Sequence, residues 1–254
     1  MTNYNQLAEI LDTAAHQAIP VPQLSLSHTL NIEEAYAVQS ISIARRYIRG
    51  ERRVGLKLGF TSKAKMEQMG VHDMIWGRLT NQMQYKNSSE LPIKSFIHPR
   101  AEPEIAFRVS QTFDKSLTLD NALQYIDGIA VAIEVIDSRY KNFKFSLEDV
   151  VADNCSSAAF TIGEWQQIDT NIRGIAMSLI IDGETVEVGN SDAILGNPLE
   201  SLVNAARLAL QNGEILKAGD IILAGAATPA VFLKRGQTVL AIAEGLGEVS
   251  LKIC

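Results

Sequence analysis

Three glutamates carry the clearest chemical signal in this sequence of 254 residues. Glu102 and Glu104 stand in the run His98-Pro99-Arg100-Ala101-Glu102-Pro103-Glu104-Ile105-Ala106-Phe107. Side chains of an extended strand alternate between its faces, so these two carboxylates share one face while Ile105, Phe107 and Val109 take the other. Like charges that close resist joint ionisation unless a cation or basic groups compensate them. Glu134 sits in Ile129-Ala130-Val131-Ala132-Ile133-Glu134-Val135-Ile136, an otherwise apolar run that reads as a buried strand. An isolated charge there is costly, so it must be paired, protonated or bound to a metal. Three carboxylates suit a hard cation such as Mg²⁺ or Mn²⁺, which favours oxygen ligands and keeps exchangeable waters. Spacing alone leaves a second reading equally open, with Glu102 and Glu104 facing solvent and Glu134 paired to Arg100 or Arg139.

Lys57 lies within Val54-Gly55-Leu56-Lys57-Leu58-Gly59-Phe60-Thr61-Ser62, a short apolar strand that runs into a helix start. It is either a partly desolvated cation able to hold a carboxylate or move a proton, or a surface lysine with only its stem covered. The polar runs Asp137-Ser138-Arg139-Tyr140 and Asp153-Asn154-Cys155-Ser156-Ser157 either line a pocket or form turns. The histidines His16, His28, His72 and His98 show no paired metal spacing, and His98 is left unassigned. No base is tied by motif to Cys155, which reads as a packed thiol.

The elements that must position these groups are partly legible. Leu7, Ile10, Leu11 and Ala14 recur at helical spacing ahead of Pro20 and Pro22. Asn31 and Glu34 resemble a capping box for a second helix, Ile32 to Arg49, that Gly50 can terminate. A third helix is predicted from Ser62 to Met69, and a fourth from Asn197-Pro198 to Gly213. Asp182-Gly183 between two apolar runs predicts a hairpin, because that turn requires positive φ. Ile221–Leu223, Thr238–Ala243 and Glu248–Ile253 read as further strands. Strands dominate the second half without regular alternation with helices, so an α+β fold is expected. It consists of an N-terminal helical lobe (residues 1–52) and a mixed β-rich catalytic domain (residues 53–254) with peripheral helices. No glycine-rich phosphate loop follows a strand.

Composition removes several functional classes. A net charge of −6 and a pI near 5.3 give no electrostatic reason to meet nucleic acid or an anionic membrane. No apolar run reaches the length of a membrane span, and the first residues lack the basic start and apolar core of a signal peptide. The two cysteines suggest neither a disulfide framework nor a thiolate metal site. A cytoplasmic location is expected.

Several of these segments together resemble the hydratase/decarboxylase branch of the fumarylacetoacetate hydrolase superfamily, found in meta-cleavage degradation of aromatic compounds. They are Gly55-Leu56-Lys57-Leu58-Gly59-Phe60-Thr61-Ser62, Lys65 through Val71, Glu102-Pro103-Glu104-Ile105-Ala106-Phe107, and Glu134 through Phe145 followed by Val151-Ala152-Asp153-Asn154. The resemblance runs from about Ala35 to the C-terminus. It implies a β-roll core, a divalent metal (Mg²⁺ or Mn²⁺) on Glu102, Glu104 and Glu134, and an active-site lysine, Lys57. It also implies a small unsaturated 2-oxo acid as substrate, with Arg139, Asn154 and Ser156 as substrate-binding candidates. A homo-oligomer is implied too, and with it a complex with a homologous hydratase. Two activities divide the branch: decarboxylation of 2-oxohex-3-enedioate (4-oxalocrotonate), and hydration of the resulting 2-hydroxypenta-2,4-dienoate. Ser138 through Phe145 looks like the decarboxylase version, and Ile75 falls where hydratases usually carry an aspartate. Met74 departs from the decarboxylase pattern, which has proline there, and a small loop shift would let Asp73 return an acid to the pocket.

Overall fold

The computed structural model describes residues 3–62, 66, 73–113, 115–168 and 171–254. The chain opens with α1 (Tyr4–Gln17) and α2 (Ile32–Ile48). At the start of α2 the Asn31 side chain accepts from the Glu34 amide at 2.8 Å, and the Glu34 carboxylate accepts from the Asn31 amide at 2.9 Å. This is the reciprocal cap that the spacing predicts. The helices bury Leu7, Leu11, Ala35 and Val38 in a cluster shared with Ile75, Tyr140, Val150 and Val151. The helical segment is therefore packed against the rest of the chain through one common core. Shorter helices follow, α3 (Leu119–Ala122) and α4 (Leu147–Ala152), and then α5 (Pro198–Gln211), with Asn197 as N-cap and Pro198 in the first turn. The helix predicted from Ser62 to Met69 lies almost wholly outside the described residues.

Two sheets make the core. The larger uses β1 (Arg53–Gly59), β2 (Ile75–Thr80), β3 (Gln84–Tyr85), β5 (Arg100–Val109), β6 (Ile126–Ile136), β7 (Ser157–Ile162), β10 (Ile221–Ala226) and β11 (Val231–Phe232), in the order β2-β1-β10-β5-β6-β7-β3, with β11 on β5. The smaller uses β4 (Ser89–Leu91), β8 (Ala176–Ile181), β9 (Glu184–Asn190), β12 (Thr238–Ala243) and β13 (Gly247–Ile253), in the order β4-β13-β12-β8-β9. Between β8 and β9, Asp182 and Gly183 take φ of 53° and 86°, as the hairpin signal requires. Inward residues of both sheets, among them Phe107, Val131, Leu179, Val239 and Leu251, join Leu202, Ala205 and Ala209 of α5 in one apolar cluster. Strand pairing is mixed: β1 runs parallel to β10, while β5 is antiparallel to both β10 and β6. This is the α+β, β-rich architecture expected from the lack of strand–helix alternation.

Candidate functional site

The acids meet because of one register. Glu102 of β5 lies directly opposite Glu134 of β6, and Glu104 follows two residues along the same face. Like charges opposite one another destabilise a sheet, so the pairing needs compensation. All three are buried, and each offers an oxygen within 4.8 Å of the others. Glu104 Oε2 accepts a hydrogen bond from the Gly225 amide of β10 at 2.8 Å. From β1, Lys57 brings its Nζ to 2.9 Å from Glu134 Oε2. Lys57 is itself buried, which decides against the surface reading.

One ammonium faces three carboxyl groups. Burial pushes the Glu104 and Glu134 carboxyls above the usual carboxylate range, and for Glu104 the neighbouring Glu134 adds to the rise. Burial opposes the charge of Lys57, but Glu134 and Glu104 outweigh it and hold the ammonium protonated. Apart from its ion pair, neither Glu134 oxygen accepts a hydrogen bond from a described residue. Converging, buried carboxylate oxygens, those of Glu134 with no partner but Lys57 among the described residues, fit a hard divalent cation.

A pH dependence follows with a definite sign. Folded-state values raised above the unfolded ones mean that the cation-free native state binds the extra protons. Its stability is therefore expected to fall as pH rises above the ordinary carboxylate range and through the raised values. A bound cation, which requires the carboxylates ionised, reverses this. Thermal unfolding with and without Mg²⁺ checks it: the Mg²⁺-induced rise in Tm should be larger at pH 8 than at pH 5, and a pH-independent rise would contradict the assignment.

Above the acids lies a cavity of about 400 Å³ whose wall includes Lys57, Arg100, Glu102, Glu104 and Ser156, with Phe60, Ile75, Phe143 and Phe145 as its apolar part. Ser156 Oγ is buried and has no hydrogen-bond partner among the described residues, which makes it a polar group presented on this wall. Cys155 also reaches the wall, but its thiol donates to the Trp76 carbonyl at 3.0 Å, and burial pushes it up to about 12. It stays a protonated, packed thiol.

Two residues expected to bind substrate are placed otherwise. Asn154 accepts from the Arg78 amide at 2.8 Å and donates to the Arg78 carbonyl at 2.9 Å, so its amide stands in for a strand partner of β2. It thereby anchors a turn in which Asn154, Cys155 and Ser156 take φ of 49°, 52° and 59°. Such left-handed conformations persist only where surrounding contacts enforce them. Gly77 is part of that enforcement, since a Cβ there would stand 2.6 Å from the Asn154 carbonyl oxygen. Arg139 spends its guanidinium on Asp153 and the Ser157 carbonyl, and it lines a separate small cavity with Arg46 and Asp137. Neither Asn154 nor Arg139 is among the residues lining the cavity above the acids. Asp73 is exposed and paired with Arg207 at 2.6 Å, whereas Ile75 lines the cavity.

Arg100, weighed from the sequence only as a partner for Glu134, lines the cavity instead, and the signal for that was present. It stands two positions before Glu102 and so on the same face of β5. Its guanidinium carbon lies 4.0 Å from the centre of the Phe143 ring and 4.1 Å from that of Phe232.

Comparison with known proteins fits this geometry. The family description "Fumarylacetoacetate (FAA) hydrolase C-terminal" matches residues 64–253. A 4-oxalocrotonate decarboxylase from a Pseudomonas species is 47% identical, over 97% of this chain and 96% of the relative. A 2-keto-4-pentenoate hydratase from Paraburkholderia phymatum is 39% identical, over 85% of this chain and 83% of the relative. Among solved structures, 4-oxalocrotonate decarboxylase from Pseudomonas putida G7, complexed with magnesium and adipate, superposes with a TM-score of 0.94 at 33% identity, covering 99% and 97% of the two chains. The chain belongs to the fumarylacetoacetate hydrolase family.

Proposed function

We propose that this member of the fumarylacetoacetate hydrolase family decarboxylates 2-oxohex-3-enedioate to 2-hydroxypenta-2,4-dienoate, with Glu102, Glu104 and Glu134 holding a divalent cation. The observation that carries the choice of reaction is the cavity wall. Acids and an ammonium form one end, and Ile75 stands where water activation would need an acid, with Asp73 turned out to Arg207. The 47% identity to a 4-oxalocrotonate decarboxylase over nearly the whole chain supports the same reading.

When bound, the cation would supply Lewis-acid polarisation of a 2-oxo acid. The chain's own groups do the rest. Breaking the C5–C6 bond releases CO₂; its electron pair forms C4=C5, the former C3=C4 pair forms C2=C3, and the carbonyl pair moves onto the C2 oxygen. C5 passes from methylene to terminal alkene and needs no proton. The one proton required goes to the C2 oxygen, and Lys57, held protonated beside Glu134, is placed to stabilise charge there and donate it. Ser156 offers a substrate oxygen its hydroxyl, which no described residue engages. Phe60, Ile75, Phe143 and Phe145 keep the wall apolar and restrict water near the developing diene.

A Mg²⁺-supplemented assay with 2-oxohex-3-enedioate and, separately, 2-hydroxypenta-2,4-dienoate tests the reading. CO₂ release with little loss of diene absorbance is expected. Diene consumption without CO₂ release would transfer the chain to the hydratase reading, which shares the cation-binding acids. The chain is further read as cytoplasmic from its composition and, on the resemblance, as a homo-oligomer able to pair with a homologous hydratase; sedimentation of the chain alone and mixed with such a hydratase tests the assembly.

A further inference from the structure

Arg100 lines the cavity, yet its guanidinium has no hydrogen bond and no ion pair with any described residue, and its Nε is buried without a partner. Phe143 and Phe232 lie against it, their ring centres 4.0 and 4.1 Å from the guanidinium carbon, and this steadies the planar group on the cavity wall. A guanidinium steadied by aromatic rings, with N–H groups that no described residue uses, fits a planar carboxylate bidentately. A partly buried guanidinium whose Nε is shielded and without a partner among the described residues also gains from the arrival of an anion. We propose that Arg100 binds the substrate carboxylate farthest from the 2-oxo group and so selects dicarboxylates over monocarboxylates.

Position favours the distal carboxylate. Two residues of strand, roughly 7 Å, separate Arg100 from Glu102 along β5, and an extended six-carbon diacid spans a comparable length. A ligand whose 2-oxo acid end meets the glutamates then brings its far end to Arg100. The inference rests on the decarboxylase reading for the substrate, and it fixes how Arg100 contributes. The distal carboxylate loses its charge as it becomes CO₂, so the contact is stronger in the ground state than in the transition state. Arg100 thus supports KM, and its loss is expected to raise KM without lowering kcat.

The test is calorimetric titration of the Mg²⁺-saturated protein with 2-oxohexanedioate and 2-oxohexanoate, which differ only in the distal carboxylate and cannot push electrons as the unsaturated substrate does. Arg100→Gln is expected to weaken the diacid about 10- to 100-fold, the range of a charge-assisted hydrogen bond, and to leave the monoacid unchanged. Arg100→Lys should recover part of the diacid affinity. Equal weakening of both ligands would put Arg100 at the 2-oxo acid end, and unchanged diacid affinity would remove it from recognition; either overturns the proposal. Because binding is read without turnover, a wild-type chain that releases no CO₂ yet shows the Arg100-dependent difference sinks the decarboxylase reading alone.

Discussion

Glu134→Gln is expected to lower Mg²⁺ and Mn²⁺ affinity and CO₂ release together, each by about 10²- to 10³-fold, the scale of removing one preorganised electrostatic group. Glutamine keeps the shape of the side chain and one carbonyl oxygen but removes a charge from the three buried acids that converge within 4.8 Å. The fold should survive better than the loss of a buried ion pair usually allows, about 3–5 kcal/mol. Lys57 loses its partner at 2.9 Å but keeps the attraction of Glu104, and one of three crowded negative charges disappears. Lys57→Met makes the useful contrast: turnover should fall while cation affinity holds or rises, because a positive charge beside the site is gone. Metal titration and CO₂ release on both variants decide the matter. Unchanged cation affinity in Glu134→Gln would take that residue out of the cation site.

Gly225→Ala is expected to be nearly as damaging, although it adds one methyl group to a residue that touches no substrate. The Gly225 φ of 110° lies in the region that favours glycine, and a Cβ there would fall 2.0 Å from Thr61 Oγ1. Thr61 is buried, so it cannot swing into solvent. Overpacking and backbone strain each cost about 1–3 kcal/mol, and here they act together. The same residue's amide holds Glu104 at 2.8 Å, so relieving the clash by shifting β10 also moves a carboxylate of the site. Loss of stability by chemical denaturation and weakened Mg²⁺ binding are both expected. Adding Thr61→Ala should recover part of each, since it removes the hydroxyl and one methyl but leaves the Cβ that would lie 2.7 Å away. Wild-type stability with full cation affinity in Gly225→Ala would refute the account.

These expectations separate what chain-local physics supplies from what packing adds. The Asn31–Glu34 cap, the Asp182-Gly183 hairpin and the helix opened by Asn197-Pro198 follow from neighbouring residues and backbone geometry, so they are legible directly and appear in the structure. The two-residue period of a strand likewise places Glu102 and Glu104 together, and the same period holds Arg100 with them. An apolar strand announces that Glu134 needs compensation, though it does not name the compensating group. Which strand lies beside which is a long-range matter that periodicity does not reach. Only the register of β5 on β6 sets Glu102 opposite Glu134, and only β1, on the far side of β10, delivers Lys57 as its partner. The turn at residues 154–156 shows the same limit. Its composition suits a pocket or a structural turn equally, and tertiary contacts divide the roles: Asn154 to the Arg78 backbone, Cys155 to the Trp76 carbonyl at the cavity wall, and the Ser156 hydroxyl to the cavity. A polar side chain's role depends on which partner reaches it first, and that competition is settled by packing between segments distant in the sequence.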